Sequence, residues 1–69
     1  MYQTNVKRAR EDRGLNQRQL AEAAHMPASL ISVLENGKRR IWPAAAQRLS
    51  KALNVPISHL FPEDFTDGE

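Results

Sequence analysis

Residues 15–40 read LNQRQLAEAAHMPASLISVLENGKRR, and the folding of this stretch decides the domain. Asn16 can accept from the backbone N–H groups of a starting helix. Gln19, three residues on, can reach back to it, the reciprocal pattern of a capping box. Leu15 before the cap and Leu20 after it can pack as a hydrophobic staple. Leu20, Ala21 and Ala24 then make a narrow apolar stripe of small residues, over which another helix can pass closely. His25 stands where the chain must leave that helix, and histidine is among the side chains that tolerate positive φ. A further helix is predicted from Pro27 to Asn36. Proline suits a first turn that needs no N–H, Ile31 and Leu34 form the core-facing pair, and Gly37 closes the segment. Leu30 and Val33 are apolar too, so either both faces of this helix are covered or one is offered to a partner.

Working outward, Asn5 to Arg13 reads as a preceding helix. Val6, Ala9 and Arg13 share one face by their spacing, and Arg10 lies on that same face, an odd place for a charge without a partner. Gly14 supplies the left-handed stop, with Leu15 as the apolar contact after it. On the other side, Lys38-Arg39-Arg40-Ile41-Trp42 forms a loop. Pro43 opens a helix through Leu53, with Ala46, Leu49 and Leu53 on one face and Asn54 as its left-handed stop. Trp42 is expected to lie as a lid on the core near that helix. Pro56 begins a short last turn carrying Ile57, Leu60 and Phe61. No run alternates as a strand would, so the fold class is all-α.

The chain has 69 residues and no cysteine, 41% of it apolar and 26% charged. That is one ordinary globular domain, able to bury only about 60% of its unfolded surface, and without a disulfide or a cysteine-based zinc site. His25 and His59 are too few and too far apart to suggest a metal site. No apolar run approaches the ~18 residues of a membrane span. Val6 to Arg13 is charged where a signal peptide would be apolar, so the expected location is cytoplasmic, and nucleoid-associated when bound to DNA. The net charge of +2 conceals an asymmetry. Residues 1–61 hold ten basic side chains against four acidic ones, while Glu63, Asp64, Asp67 and Glu69 crowd the last seven positions. The expected organisation is a domain over residues 1–61 and a disordered acidic tail over 62–69. A basic body suggests a polyanion partner.

Two short helices joined by about three residues have the shape of a helix-turn-helix. The residues carry the resemblance further. Leu15-Asn16-Gln17, Leu20-Ala21, Ile31-Ser32, Glu35-Asn36-Gly37-Lys38-Arg39, the stretch Arg48 to Pro56 and the final Leu60-Phe61 together resemble the Cro/repressor-type (Xre-like) helix-turn-helix family of phage and bacterial regulators. The likeness covers roughly residues 6–61. It implies a five-helix repressor-like domain that binds double-stranded DNA. The helix at 27–36 would enter the major groove, and the one before it would cross the backbone. The phosphate contacts it implies fall on Asn16 and Gln17 at the start of the second helix, on Asn36, and on Lys38, Arg39 and Arg40. Arg18 lies in the same first turn as Gln17. The N-terminal dipole of that helix and the loop cations favour phosphate independently. The resemblance also pairs Arg10 with Glu35 as an ion pair tying the first helix to the third.

The sequence departs from the family at the base-reading positions. Ala28, Ser29, Ser32 and Val33, with Gln17 beside them, are the residues placed to face base edges. Relatives often carry Arg, Gln or Asn there. Apart from Gln17 none of these is a long donor or acceptor. The helix itself can offer thymine methyls only apolar contact and bases only short hydroxyl bonds. DNA shape then shares the specificity. The reading is a sequence-specific regulator, a homodimeric repressor, with Leu60, Phe61 and Phe65 as candidate contacts between copies, core packing being the favoured role of Leu60 and Ile57. The alternatives are an antitoxin-like or controller-like protein acting with a protein partner, and an interaction module that has lost base readout. No glycine-rich phosphate loop and no arranged nucleophile, base and acid support an enzyme. No cofactor is expected.

Overall fold

The computed structural model describes residues 4–62. It contains α1 (Val6–Asp12), α2 (Gln17–Ala24), α3 (Ala28–Glu35), α4 (Pro43–Leu53) and α5 (Ile57–Leu60), with no strand among the described residues. The all-α, five-helix expectation is met. Apart from Pro62, the acidic tail, and Phe65 with it, lies outside the described residues.

Each of the four longer helices ends at a left-handed residue: Gly14 (φ +71°), His25 (+56°), Gly37 (+68°) and Asn54 (+55°). At Gly14 a Cβ would meet nothing within 4 Å, so glycine is required there by the backbone dihedral and not by space. The residue after each stop turns its N–H back into the helix. Leu15 bonds Arg10 O at 3.1 Å, Met26 bonds Ala21 O at 2.9 Å, Lys38 bonds Val33 O at 3.2 Å and Val55 bonds Ser50 O at 3.2 Å. These are Schellman closures, which satisfy carbonyls that would otherwise be orphaned.

The start of α2 is built as expected. Asn16 Oδ1 accepts from Gln19 N at 2.7 Å, and Gln19 Oε1 accepts from Asn16 N at 2.9 Å. Asn16→Ala removes the first bond and is expected to cost about 0.5–2 kcal/mol. Urea unfolding should show a lower midpoint at unchanged slope.

The starts of α3 and α4 differ from it. Pro27 is the residue before α3, with extended ψ of 142°, and not part of its first turn. Its carbonyl accepts from Leu30 N at 3.1 Å and Ile31 N at 3.2 Å. Trp42 holds the same position before α4, and neither side chain caps its helix.

The core joins Val6, Leu20, Ala21, Ala24, Met26, Ile31, Leu34, Ile41, Ala45, Ala46, Leu49, Leu53, Leu60 and Phe61. Helix α2 packs on α3 and α4, α1 on α3 and α4, and α4 on α5. Ala21 and Ala24 let α2 lie close to its neighbours. Asn5 clasps the far end of the chain: its N–H donates to Leu60 O at 2.8 Å and its Nδ2 to His59 O at 2.7 Å.

Three expectations need correction. Leu60 and Phe61, named as candidate contacts between copies, are 0% and 3% exposed, because α5 and the residue after it close the core of their own chain. Trp42 is not fully seated as a lid: it is 37% exposed, while its neighbour Ile41 is buried. Arg13 does not continue the apolar face of α1. It is exposed, follows the last helical residue, and donates to Asn54 O at 3.5 Å.

Candidate nucleic-acid interface

A sharp turn of three residues, His25, Met26 and Pro27, separates α2 from α3. Buried Met26 pins it from below, and its N–H is held by Ala21 O. With Ile31 and Leu34 in the core, Leu30 packed against it and the Glu35 side chain buried, four residues of α3 are left to face outward. Ala28 and Ser29 are exposed, and Ser32 and Val33 are half-buried. These are the four residues of α3 expected at base edges. Nothing on that face extends beyond a hydroxyl or two methyl groups, so the surface can approach another surface closely but cannot reach far into it.

The orientation of this face is set by one network of charge-assisted bonds. Arg10 Nε donates to Glu35 Oε2 at 2.6 Å and Nη2 to Oε1 at 3.2 Å, a bidentate pair. Arg10 Nη1 also donates to Leu15 O at 2.8 Å. The two side chains are only 10% and 2% exposed. The hydrogen bonds to Glu35 hold the Arg10 guanidinium above the ordinary arginine range. Burial opposes this, and the charges of Glu35 and Glu11 add to it. The arginine therefore stays charged throughout the neutral range. The network ties α1, the loop after it and the end of α3 together, and explains the charge on the apolar face of α1.

Gln17, expected at the base edges, is half-buried and donates from Nε2 to Glu35 Oε1 at 3.0 Å. This bond carries the network into the first turn of α2. Sequence reasoning gave no hint of it, because residues 17 and 35 meet only through the crossing of two helices.

The residues expected at phosphates form a border around α3. Asn16 and Arg18 are exposed at the start of α2. Arg18 pairs with Glu22 at 3.4 Å in a setting where both side chains are largely exposed; such a pair is weak enough to open for a phosphate. Asn36, Lys38, Arg39 and Arg40 are exposed just past the C-terminal end of α3, the end whose Glu35 is bonded to Gln17 of α2. The loop that carries them is anchored on both sides, by buried Gly37 and by buried Ile41. Arg39 places its Cζ 4.9 Å from the centroid of the Trp42 ring, a cation–π contact. The Arg-x-x-Trp spacing was the sequence signal for that contact.

Among the described residues, no helix is long and apolar enough to cross a membrane. A family model for helix-turn-helix domains matches residues 6–60. The chain is also similar to the competence pilus inhibition repressor of Acinetobacter baylyi (strain ATCC 33305 / BD413 / ADP1), with 41% identity over 56 residues. The matched segment is 81% of this chain and 51% of that repressor, so the chain spans about half the length of its relative. The family match runs from the first residue of α1 to the last of α5 and takes in the turn, the outward face of α3 and the basic loop. The chain belongs to the Cro/repressor-type, Xre-like helix-turn-helix family.

Proposed function

We propose that the chain is a sequence-specific regulator that represses transcription as a homodimer on double-stranded DNA, with α3 in the major groove. The observation that carries this reading is the arrangement around α3: a short, open face with the start of α2, bonded to Glu35, and the cations of residues 38–40 gathered near its C-terminal end. Asn16, Arg18, Asn36, Lys38, Arg39 and Arg40 then hold phosphates and fix the register. Ala28 and Val33 meet thymine methyls, and Ser29 and Ser32 bond to base edges. Gln17, bonded to Glu35, mainly orients α2 and α3, and its remaining amide N–H and carbonyl can still reach the DNA. The similar repressor supports the sign of the regulation, and its greater length leaves room for functions outside this domain.

Selection of bound duplexes from a random library near physiological salt tests this. The expected product is an inverted repeat with half-site centres about 10 bp or a multiple apart, with thymines opposite Ala28 and Val33. A second reading is favoured by one observation, the lack of any long donor on the outward face of α3. In it the domain binds backbone alone, and a protein partner supplies the sequence preference. Salt-sensitive binding without an enriched sequence would select that reading. Absence of any binding would overturn both.

A further inference from the structure

Trp42 is unexplained by the fold. It precedes α4 where a short polar residue would satisfy a free backbone N–H, and its side chain makes no such bond. It is not buried in the core, being 37% exposed. Its ring packs against Arg39, three residues back, with the guanidinium carbon 4.9 Å from the ring centroid.

Both residues hang from fixed backbone. Lys38 N is held by Val33 O at 3.2 Å, Ile41 is buried between them, and Trp42 O accepts from Ala46 N at 3.0 Å. The ring engages the charge of the guanidinium and needs none of its five N–H donors. An arginine is a long, many-rotamer side chain that loses freedom when it binds. One already resting on a ring loses less. Between Asn36 and Pro62 the sequence contains no acidic residue, and Glu35 just before that stretch is engaged by Arg10 and Gln17.

We propose that Trp42 is a positioning residue for DNA binding, its ring holding the Arg39 guanidinium ready for a backbone phosphate at the edge of the α3 face. This rests on the DNA-binding reading above.

The test uses the full chain and the duplex recovered by selection, or a random-sequence duplex if none is enriched. Binding is measured against salt for the unaltered protein, R39A, W42A, W42F and R39A/W42A. Loss of Arg39 should weaken binding about 5-fold and lower the dependence of log affinity on log salt by about 1. W42A should weaken binding about 2–5-fold without changing that slope, because the charge remains. The double variant should bind no worse than R39A, since the ring acts only through the arginine. W42F, which keeps a ring face, should recover most of the W42A loss. Trp42 is the only tryptophan in the sequence, so its emission should change over the same range of added duplex as the binding itself.

A W42A loss that multiplies with that of R39A would overturn the proposal, as would W42A binding like the unaltered protein or emission that ignores the duplex. In all three cases the unaltered protein still binds, and the DNA-binding reading stands. If the unaltered protein binds no duplex, both fall.

Discussion

Arg10→Ala is expected to cost about 3–5 kcal/mol of stability, because it leaves the Glu35 carboxylate buried without its main partner. Glu35 loses two bonds and retains one, from Gln17, and Leu15 O loses its donor. For a chain of 69 residues the whole folding free energy is ~3–10 kcal/mol, so the variant should be largely unfolded or molten near 37 °C. Circular dichroism against temperature measures this directly. A change to Arg10→Met together with Glu35→Leu should recover much of the loss, since a buried ion pair can often be exchanged for apolar side chains of similar size. An Arg10→Ala protein melting within a few degrees of the unaltered one would show that the pair contributes little. The pH dependence has a definite sign. The Arg10 pKa is raised in the folded protein, so the stabilisation is present below the ordinary arginine pKa and is lost only as pH rises through the raised value. Nothing from Arg10 should appear in a titration across the neutral range.

Replacing Lys38, Arg39 and Arg40 together with alanine should weaken DNA binding about 100-fold near physiological salt. Each phosphate neutralised contributes roughly 0.9 to the slope of log affinity against log salt. Three lost contacts should therefore flatten that slope by about 3, and at ~0.15 M salt the slope converts to an affinity loss of about two orders of magnitude. The side chains are exposed and the loop keeps its anchors at Gly37 and Ile41, so the melting temperature should hardly move. The loss should be similar on every sequence, because these contacts position the protein and do not read bases. A slope change below 1 would place the loop outside the interface. Fluorescence anisotropy at several salt concentrations separates the two results.

The helix boundaries were legible because their causes are local. Gly14, His25, Gly37 and Asn54 each stop a helix by their own backbone preference, and the Asn16–Gln19 box starts one by spacing alone. The outward residues of α3 were legible for the same reason, once Ile31 and Leu34 were assigned inward. Arg10 and Glu35 needed more than spacing: a charge on an apolar face asked for a partner, and the family likeness supplied it. The features that escaped depend on tertiary placement. Gln17 reaches Glu35 across two helices. Trp42 is large and apolar, so the sequence argues for burial, yet it stays 37% exposed with Arg39 over its ring. Core packing is the favoured reading of Leu60 from sequence, but Phe61 beside it is offered to a second copy because nothing local reveals how far α5 folds back over its own core. Pro27 fits either inside a helix or just before it, and only its ψ decides.

The clasp of Asn5 on His59 and Leu60 makes the described domain nearly a closed ring. Its two ends are held together by Asn5, whose backbone N–H donates to Leu60 O at 2.8 Å and whose side-chain amide donates to His59 O at 2.7 Å. Anything attached before α1 and anything attached after α5 would therefore leave from the same corner of the surface. Two added segments would be neighbours there, however far apart they stand in the sequence. A joined-end rearrangement, opened at some other loop, would keep every helix contact the domain now has.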